Sequence, residues 1–324
     1  MGKNNKKKLQ VPHESHLLLP AHPSCSGSEQ IVDTHTHLVS TFSSYQSKYR
    51  EGRYGSIFDF VKGIYTQSRH KVEAIVDVWC EAPVQKVWKE LADSALTAEG
   101  RRDNWGGIEY WFVMGMSLHE AKLYTDDVEK DILDAMTHPR CVGWGEIGLD
   151  YHYDNSPREI QQDVLRRQLR HAVRLGKPLT IHTREAEGDT ERILKEEVPK
   201  DYRIHIHCFT DSPEFAQRLL DHFPNLYIGI TGVITYSTNL NTSAVIRHLS
   251  STPPLRILLE TDAPFMIPAN LYSSLPALKG KLPLCHTAMI PWTAEFVAGV
   301  VGEGWDTEKV MKEANENAKK MYGV

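Results

Sequence analysis

The sequence predicts a single α/β domain, a (β/α)8 barrel of the TIM type with closing helices at its C-terminal end. Eight apolar runs rich in Val, Ile, Trp and Tyr alternate with segments of helical pattern, as parallel βα units do. The 324 residues suit one such barrel, and an apolar content of 41% can supply its core. Because no repeat or linker interrupts residues 30–324, we predict one domain there.

The predicted elements follow one another in regular order. Strands are predicted over residues 31–38, 71–80, 108–116, 141–147, 178–183, 203–209, 226–233 and 255–261. Helices between them are predicted over residues 56–68, 83–98, 157–175, 213–222 and 242–248. Several of these helices begin with Ser, Thr or Pro, which helix N-termini favour. Segments 290–301 and 307–322 are predicted to be the two closing helices.

Residues 1–29 differ in composition from the rest of the chain. They are polar and contain Pro and Ser, so we predict a disordered N-terminal arm. Lysines at positions 3, 6, 7 and 8 form a basic cluster in it. A solvated tail is the simplest interpretation of this cluster, and a nuclear-import patch or a loose phosphate contact are the alternatives.

Charge and cysteine content limit the classes of function. A net charge of −5 argues against a protein that coats nucleic acid, which would be basic. It does not argue against a nuclease, because bound divalent cations would supply positive charge locally. Five scattered cysteines without a CxxC pair fit a reducing compartment, and no apolar run approaches the roughly 18 residues of a membrane span. We therefore expect a cytoplasmic or nuclear location and no contact with a membrane.

Histidines and carboxylates recur at the C-terminal ends of the predicted strands, where barrel enzymes place their functional groups. His35 and His37 end the first strand, and side chains two apart in a strand share a face. The other candidates are Glu146 on strand four, His182 on strand five, His207 on strand six and Asp262 after strand eight. A single strand histidine is more often structural, so the prediction depends on the joint placement. Six nitrogen and oxygen ligands without thiolates predict two divalent ions of the Zn, Mg or Mn type.

Further polar residues lie close to these candidates in sequence. Asp33 and Glu260 share faces with neighbouring ligands but lie deeper, so they are candidate acceptors for imidazole N–H groups. An ordinary polar network at the barrel floor is the alternative. Arg184, at the end of strand five, could bind a phosphate, or instead form a salt bridge with Glu185 or Asp211.

The remaining histidines and one aspartate receive less specific predictions. His205 shares a face with His207 but lies deeper in its strand, so we interpret it as structural. We predict that His13, His16, His22, His70 and His248 are surface or tail residues. Asp150 could line the cleft or cap the following helix.

From about residue 31 to residue 323 the sequence resembles the TatD-type metal-dependent deoxyribonucleases. The motifs that carry the resemblance, in family order and spacing, are DTHTHL (33–38), GEIGLDY (145–151), KPLTIHTREA (177–186), HCFTDS (207–212), ETDAPF (260–265) and NAKKMYG (317–323). The resemblance implies a TIM barrel, a two-metal site and DNA as the substrate of phosphodiester hydrolysis. It implies that His35, His37 and Asp262 hold one ion, that His182 and His207 hold the other, and that Glu146 bridges both.

Two segments depart from the family pattern. The family usually carries Gly-x-His-Pro-His after strand three, whereas residues 115–119 read GMSLH and keep only the second histidine, His119. We treat His119 as a candidate substrate contact. After strand eight a long loop over residues 267–290, with Lys279 and Lys281, replaces the family's Arg-Asn-Glu-Pro, and we expect it to reshape the mouth of the site.

These features predict a deoxyribonuclease, either a 3′-end exonuclease or a nonspecific endonuclease, with Glu146 and Asp262 as the catalytic carboxylates. Two ions that share Glu146 could activate a water, which Asp262 would orient or deprotonate. An amidohydrolase-like enzyme on small amides or esters is an alternative, because such a centre does not choose its electrophile. A non-catalytic barrel that binds a partner is a third possibility, prompted by Ser117 and Leu118. The oligomeric state does not follow from the sequence.

Overall fold

The computed structural model describes residues 11–82, 84–153, 155–251 and 254–324. Within them, eight parallel strands form one sheet in the order β1 to β8, each hydrogen-bonded to the next. The strands β1–β8 span Ile31–Thr36, Val72–Trp79, Glu109–Met114, Cys141–Asp150, Leu179–Arg184, Ile204–Ile206, Leu226–Ile230 and Ile257–Leu259. Helices lie outside this sheet, so the predicted (β/α)8 fold class is confirmed.

The helices connect successive strands and complete the outer layer. Helices α1–α11 span Leu38–Lys48, Ile57–Ile64, Val87–Ser94, Ala98–Trp105, Asp126–Ala135, Arg158–Leu175, Glu187–Glu197, Pro213–His222, Asn241–Ser250, Ile290–Val301 and Thr307–Tyr322. Short 3₁₀ helices span Glu14–Leu17, Leu118–Leu123, Gly232–Thr235, Ala269–Ser274 and Thr287–Met289. In the described residues, none of these helices combines the length and the apolar character that crossing a membrane requires.

Hydrogen bonds between the two ends of the sheet close the barrel. The backbone N–H of Asp262 donates to the carbonyl of His35 at 2.9 Å, and the N–H of His37 donates to the carbonyl of Ala263 at 2.9 Å. The end of β1 and the segment after β8 are therefore neighbours. This closure brings three of the predicted ligands to one point at the C-terminal rim.

The end of α11 fills the opposite mouth of the barrel. Ala318, Met321 and Tyr322 are buried there against inward-facing side chains of the strands, among them Val32 and Leu258. Apolar burial at this position removes the lumen from water and stabilises the sheet from inside. The predicted closing helices are present as α10 and α11, and α11 seals the N-terminal end of the strands.

The N-terminal segment departs from its prediction. Residues 11–29 lie on the barrel instead of forming a disordered arm, and Leu17, in their 3₁₀ helix, is fully buried. The carboxylate of Glu14 accepts hydrogen bonds from the hydroxyl of Tyr45 at 2.8 Å and from the N–H of Arg53 at 3.1 Å. The free energy gained by burying leucines offsets the loss of conformational entropy when this segment becomes ordered. The polar composition of the segment did not indicate this gain. The predicted lysine cluster lies outside the described residues.

Two histidines that we predicted at the surface are buried because of this packing. His22 and His70 are 2% and 3% exposed, and the N–H of His22 donates to Nε2 of His70 at 3.0 Å. The His22 ring also packs edge-on against Trp292, with centroids 5.0 Å apart. The contacts of His22 are with His70, 48 positions along the chain, and with Trp292 on α10. Because both partners are distant in sequence, the residues near His22 gave no indication that it is buried.

The predicted helix over residues 83–98 is also wrong in extent. Two helices, α3 and α4, occupy this region and continue beyond it. The break occurs where the side chain of Thr97 accepts a hydrogen bond from the N–H of Gly100, as an N-cap does. Thr97 therefore caps a second helix within the segment that we predicted as one helix.

Candidate metal centre

Glu146 lies between two pairs of histidines. Its Oε2 atom is 3.6 Å from Nε2 of His35 and 3.7 Å from Nε2 of His37. Its Oε1 atom is 3.2 Å from Nδ1 of His182 and 3.3 Å from Nε2 of His207. One carboxylate oxygen thus faces each pair, which is the arrangement of a carboxylate that can bridge two cations.

Asp262 completes the first pair. Its Oδ1 atom lies 3.6 Å from Nε2 of His35 and 3.4 Å from Nε2 of His37. Nε2 of His35 lies 3.3 Å from Nε2 of His37. In the second pair, Nδ1 of His182 lies 3.0 Å from Nε2 of His207. Ligands of a four-coordinate zinc ion, at about 2.0–2.1 Å from it, are separated by about 3.3–3.4 Å. The structure therefore brings the six predicted ligands together at separations that suit coordination.

The surroundings of these rings test whether a cation fits. The ring nitrogens that face the two carboxylates are Nε2 of His35, His37 and His207 and Nδ1 of His182, and His35 and His207 are at most 3% exposed. Imidazole nitrogens that point at one another and at carboxylate oxygens are satisfied when a cation lies between them. The nitrogen and oxygen donors suit zinc, manganese or magnesium. The residues present therefore fit divalent metal ions.

The two carboxylates at the centre are ionised at neutral pH. Burial would raise the pKa of Glu146, but His207, His182 and His35 outweigh it and hold that pKa well below its ordinary value. Burial likewise opposes ionisation of Asp262, and its contacts with His37 and His35 lower its pKa overall. Two buried negative charges attract cations to this site.

The histidines respond to the same charges in different ways. Burial lowers the pKa of His35 to about 4, with a further contribution from His207. For His37, burial is outweighed by Asp262 and Glu146, which raise its pKa to about 9. For His182, Asp150 and Glu146 outweigh burial and raise the pKa to about 9. Metal ions would displace protons from these two rings, because an imidazole binds metal in its neutral form.

Two backbone features position the ligands. Gly148 has a φ of 153°, and a Cβ atom there would overlap the carbonyl oxygen of His182 on the neighbouring strand. Asp262 has a φ of 51°, in the left-handed region that costs a non-glycine residue about 1–3 kcal/mol. The hydrogen bond from its N–H to His35 holds it there. These features bring β4 against β5 and turn the chain sharply after β8.

In the described residues no imidazole donates a hydrogen bond to Asp33, which corrects the prediction. Its carboxylate accepts from the N–H and hydroxyl of Thr261, at 3.0 and 2.6 Å, and from the hydroxyl of Thr287 at 2.8 Å. It also accepts from the backbone N–H of His35 at 3.3 Å. Asp33 therefore joins β1 to the segments after β8, as the alternative of a barrel-floor network proposed.

Glu260 lies beneath the centre and belongs to a buried polar chain. Its Oε2 atom is 2.9 Å from Nε2 of His205, whose Nδ1 lies 2.9 Å from the hydroxyl of Tyr322. That hydroxyl is 2.6 Å from Oγ1 of Thr180. Glu260 also has an oxygen within 4.8 Å of ring nitrogens of His35 and of His207. His205 is thus structural, as predicted, and Glu260 supports the floor of the metal centre.

Asp150 has a role that neither of its sequence interpretations described. Its Oδ2 atom lies 3.4 Å from Nε2 of His182, and its Oδ1 accepts from the N–H groups of His152 and Tyr153 at 2.7 and 3.1 Å. The next helix, α6, begins at Arg158, too far along for Asp150 to cap it. The signal available in the sequence was its position four residues after Glu146, at the end of the same strand.

His119 and Arg184 lie at the rim. Nε2 of His119 is 3.8 Å from Oδ2 of Asp150, and about a third of the His119 side chain is exposed. The guanidinium of Arg184 lies 5.0 Å from the ring centroid of Tyr153. In the described part of the chain no salt bridge joins Arg184 to Glu185 or another acid. Both side chains are therefore placed where a ligand would enter.

A cleft of about 540 Å³ opens above the candidate metal centre. His182, His207 and Asp262 form its floor, and Arg184 and Thr210 line its wall. Asp262 is the only acidic residue among the described residues that line it. This rim favours an anionic ligand.

Comparisons with known proteins identify the family of this chain. The family model described as "TatD related DNase" matches residues 32–323. The human "3'-5' RNA nuclease TATDN2" is 36% identical over 267 residues, which cover 81% of this chain and 32% of that protein. The chain therefore spans about a third of the length of this relative. The "3'-5' ssDNA/RNA exonuclease TatD" of Citrobacter rodentium is 29% identical over 66% of this chain and 77% of its own length.

Solved structures share the fold at low sequence identity. An uncharacterized amidohydrolase from Saccharomyces cerevisiae superposes with a TM-score of 0.71 at 18% identity, over 91% of this chain and all of that one. The TatD homologue YJJV from Escherichia coli has a TM-score of 0.67 at 21% identity, over 91% of this chain and 98% of its own. These likenesses support the barrel alone. Because the family model matches nearly the whole sequence, the chain belongs to the TatD-related DNase family of metal-dependent hydrolases.

Proposed function

We propose that this protein is a nuclease that hydrolyses phosphodiester bonds with two divalent metal ions, acting on single-stranded nucleic acid from its 3′ end. The observation that carries the proposal is the position of Glu146, whose two oxygens face two separate pairs of histidines. The names of the human and Citrobacter relatives, both 3′-5′ nucleases, support the substrate class. DNA is the expected substrate, and RNA is compared with it below.

The ligands divide into two groups around the shared carboxylate. His35, His37 and Asp262 would hold one ion, and His182 and His207 the other, with Glu146 common to both. When bound, the two ions would lower the pKa of an attacking water and neutralise charge on the phosphate oxygens. Zinc, magnesium and manganese all suit this mixed set of ligands.

Protein side chains would perform the remaining steps. Asp262 is ionised at neutral pH and lines the cleft, so it can orient the attacking water and accept its proton. Arg184 can donate two hydrogen bonds to non-bridging phosphate oxygens, since no acid competes for it in the described residues. His119 at the rim is close enough to the centre to contact the adjoining nucleotide.

The experiment is a cleavage assay on protein stripped with a chelator and reloaded with each metal separately. End-labelled single-stranded DNA, single-stranded RNA and duplex DNA are compared with a panel of small amides and carboxylic esters. We expect metal-dependent shortening of single strands from the 3′ end, lost in Glu146→Ala. Glu303→Ala, at an exposed position after α10, is the control and is expected to cleave normally.

The two alternatives give different results in the same assay. Hydrolysis of amides or esters without cleavage of nucleic acid would replace the nuclease proposal with the amidohydrolase-like one. A loaded protein that cleaves nothing with any of the three metals would favour the non-catalytic barrel. Among the described residues that line the cleft above the metal centre, Arg184 is positively charged and Asp262 is a proposed metal ligand, which favours a phosphate substrate over a neutral amide.

A further inference from the structure

A second cleft, of about 610 Å³, lies beside the cleft above the metal centre. One wall comes from residues 235–238 after β7, and the other from residues 264–282 after β8. The two clefts share Thr238 and Met266, so they form one continuous groove. The loop over residues 267–290, which departs from the family pattern, therefore forms part of one wall of a cleft next to the proposed site of cleavage.

Aromatic side chains line this second cleft, and Phe265 is the most prominent of them. Phe265 is 57% exposed, and its backbone N–H donates to the carbonyl of Asp262 at 3.0 Å. That hydrogen-bonded turn places the backbone of Phe265 three residues from a proposed metal ligand. Tyr236 and Tyr272 also line the cleft. A large apolar ring held in water beside a reaction centre offers a flat face to a ligand.

The walls of the second cleft are held together before any ligand arrives. The hydroxyl of Tyr236 donates to the carbonyl of Ile267 at 3.0 Å. The N–H of Ala269 donates to Oγ1 of Thr235 at 2.7 Å, which joins the two walls again. Within the long loop, the hydroxyl of Tyr272 accepts from a backbone N–H at 3.2 Å. A preformed cleft loses little conformational entropy on binding.

The charge of the groove indicates an anionic occupant. Lys281 is exposed and is the charged residue among those that line the second cleft in the described chain. Arg184 supplies a cation to the adjoining cleft, and the sole acid of that lining is Asp262, a proposed metal ligand. Aromatic faces combined with cations along a continuous groove are typical of surfaces that bind single-stranded nucleic acid.

We propose that the second cleft binds an unpaired nucleobase, stacked on Phe265, of the strand whose phosphodiester lies at the metal centre, with Lys281 contacting a phosphate. The inference rests on the proposed nuclease function and adds a reason for selecting single strands. A base in a duplex must leave its partner before its face is free to stack. Stacking also tolerates any base, since every base has a π-face.

The test measures binding of fluorescent, cleavage-resistant phosphorothioate octanucleotides to the metal-loaded protein by anisotropy. One oligonucleotide is intact, and eight others each lack the base at one position. We expect the removal of one particular base to weaken binding to wild type by roughly 5- to 150-fold. Phe265→Ala should weaken binding of the intact strand by a similar factor and abolish the effect of removing that base.

Three further variants serve as controls. Phe265→Tyr keeps the aromatic face and should bind as wild type does. Leu175→Ala changes another exposed apolar side chain, at the C-terminal end of α6, and should change nothing. Lys281→Gln should reduce the slope of log Kd against log salt by about 0.7, the contribution of one phosphate contact. Lys279→Gln, which is exposed on the same loop, should leave that slope unchanged.

Failure of this inference differs from failure of the proposed function. If Phe265→Ala and wild type lose affinity alike for each base removed, while both cleave single strands, the stacking site is wrong and the nuclease stands. Equal affinity of wild type for duplex and single strands would also overturn the inference. If wild type neither binds nor cleaves nucleic acid, both proposals fail.

Discussion

Oδ2 of Asp150 lies 3.4 Å from Nε2 of His182, on the opposite side of the ring from Glu146. The imidazole is thus held between two carboxylates, one at the metal centre and one behind it. A carboxylate behind a ligating histidine fixes the orientation of the ring and increases its basicity. Asp150 is therefore a positioning residue for the His182 and His207 half of the centre.

Asp150→Asn should weaken metal binding at that half by about 10- to 100-fold. The amide oxygen can still accept from the N–H groups of His152 and Tyr153, so the turn after β4 is kept. Competition with a chromogenic chelator measures the affinity. Asp189→Asn, on α7 away from the centre, is the matched control. Equal metal affinities in wild type and Asp150→Asn would show that Asp150 does not support the site.

Tyr322→Phe should lower the free energy of unfolding by about 1–3 kcal/mol, because it leaves buried groups without a partner. The hydroxyl lies 2.6 Å from Oγ1 of Thr180 and 2.9 Å from Nδ1 of His205. Denaturant unfolding measures the change. Tyr153→Phe removes a hydroxyl from a ring that is 48% exposed and should cost little. Equal losses in the two variants would contradict the buried polar chain.

Leu17→Ala should destabilise the protein by about 2–5 kcal/mol, the usual cost of truncating a buried leucine. Leu17 is fully buried in the N-terminal segment, whereas Leu96 is 43% exposed. Leu96→Ala is therefore expected to change stability by no more than about 0.5 kcal/mol. Thermal unfolding of both variants tests this difference. An unchanged melting temperature in Leu17→Ala would contradict the packing of this segment on the barrel and would support the disordered arm that its composition predicted.

Arg184→Gln should lower kcat/KM for single-stranded DNA by roughly 10- to 150-fold, because it removes the charged hydrogen bonds that Arg184 is proposed to donate to the phosphate. Metal content should not change, because Arg184 lies at the rim. Arg218→Gln, on α8 with Glu191 as its partner, removes a cation elsewhere and should retain full activity. A normal kcat/KM in Arg184→Gln would remove it from substrate binding.

The barrel and the convergence of the six candidate ligands could be predicted because their signals are local. Each strand is a short apolar run, and a histidine or carboxylate near its C-terminal end must face the rim of a parallel barrel. His35 and His37 needed only a period of two to share a face. The convergence of Glu146 and Asp262 on them then followed from the topology.

The errors arise where a residue's partner is distant in sequence. Nothing near Leu17 or His22 indicates the barrel surface that buries them. Asp33 satisfies its carboxylate with Thr261 and Thr287, more than 220 positions away, instead of with an imidazole. Composition and periodicity describe an element's own preference, whereas these contacts depend on how the elements pack.

The number of metal ions bound to each chain tests most directly whether Glu146 is shared by two ions. Protein loaded with zinc or manganese, freed of excess metal by gel filtration, is analysed by plasma mass spectrometry. We expect about two ions per chain in wild type and in Glu303→Ala, and a marked loss of both ions in Glu146→Ala. A single ion in wild type, or two ions retained without the Glu146 carboxylate, would contradict a shared bridging ligand.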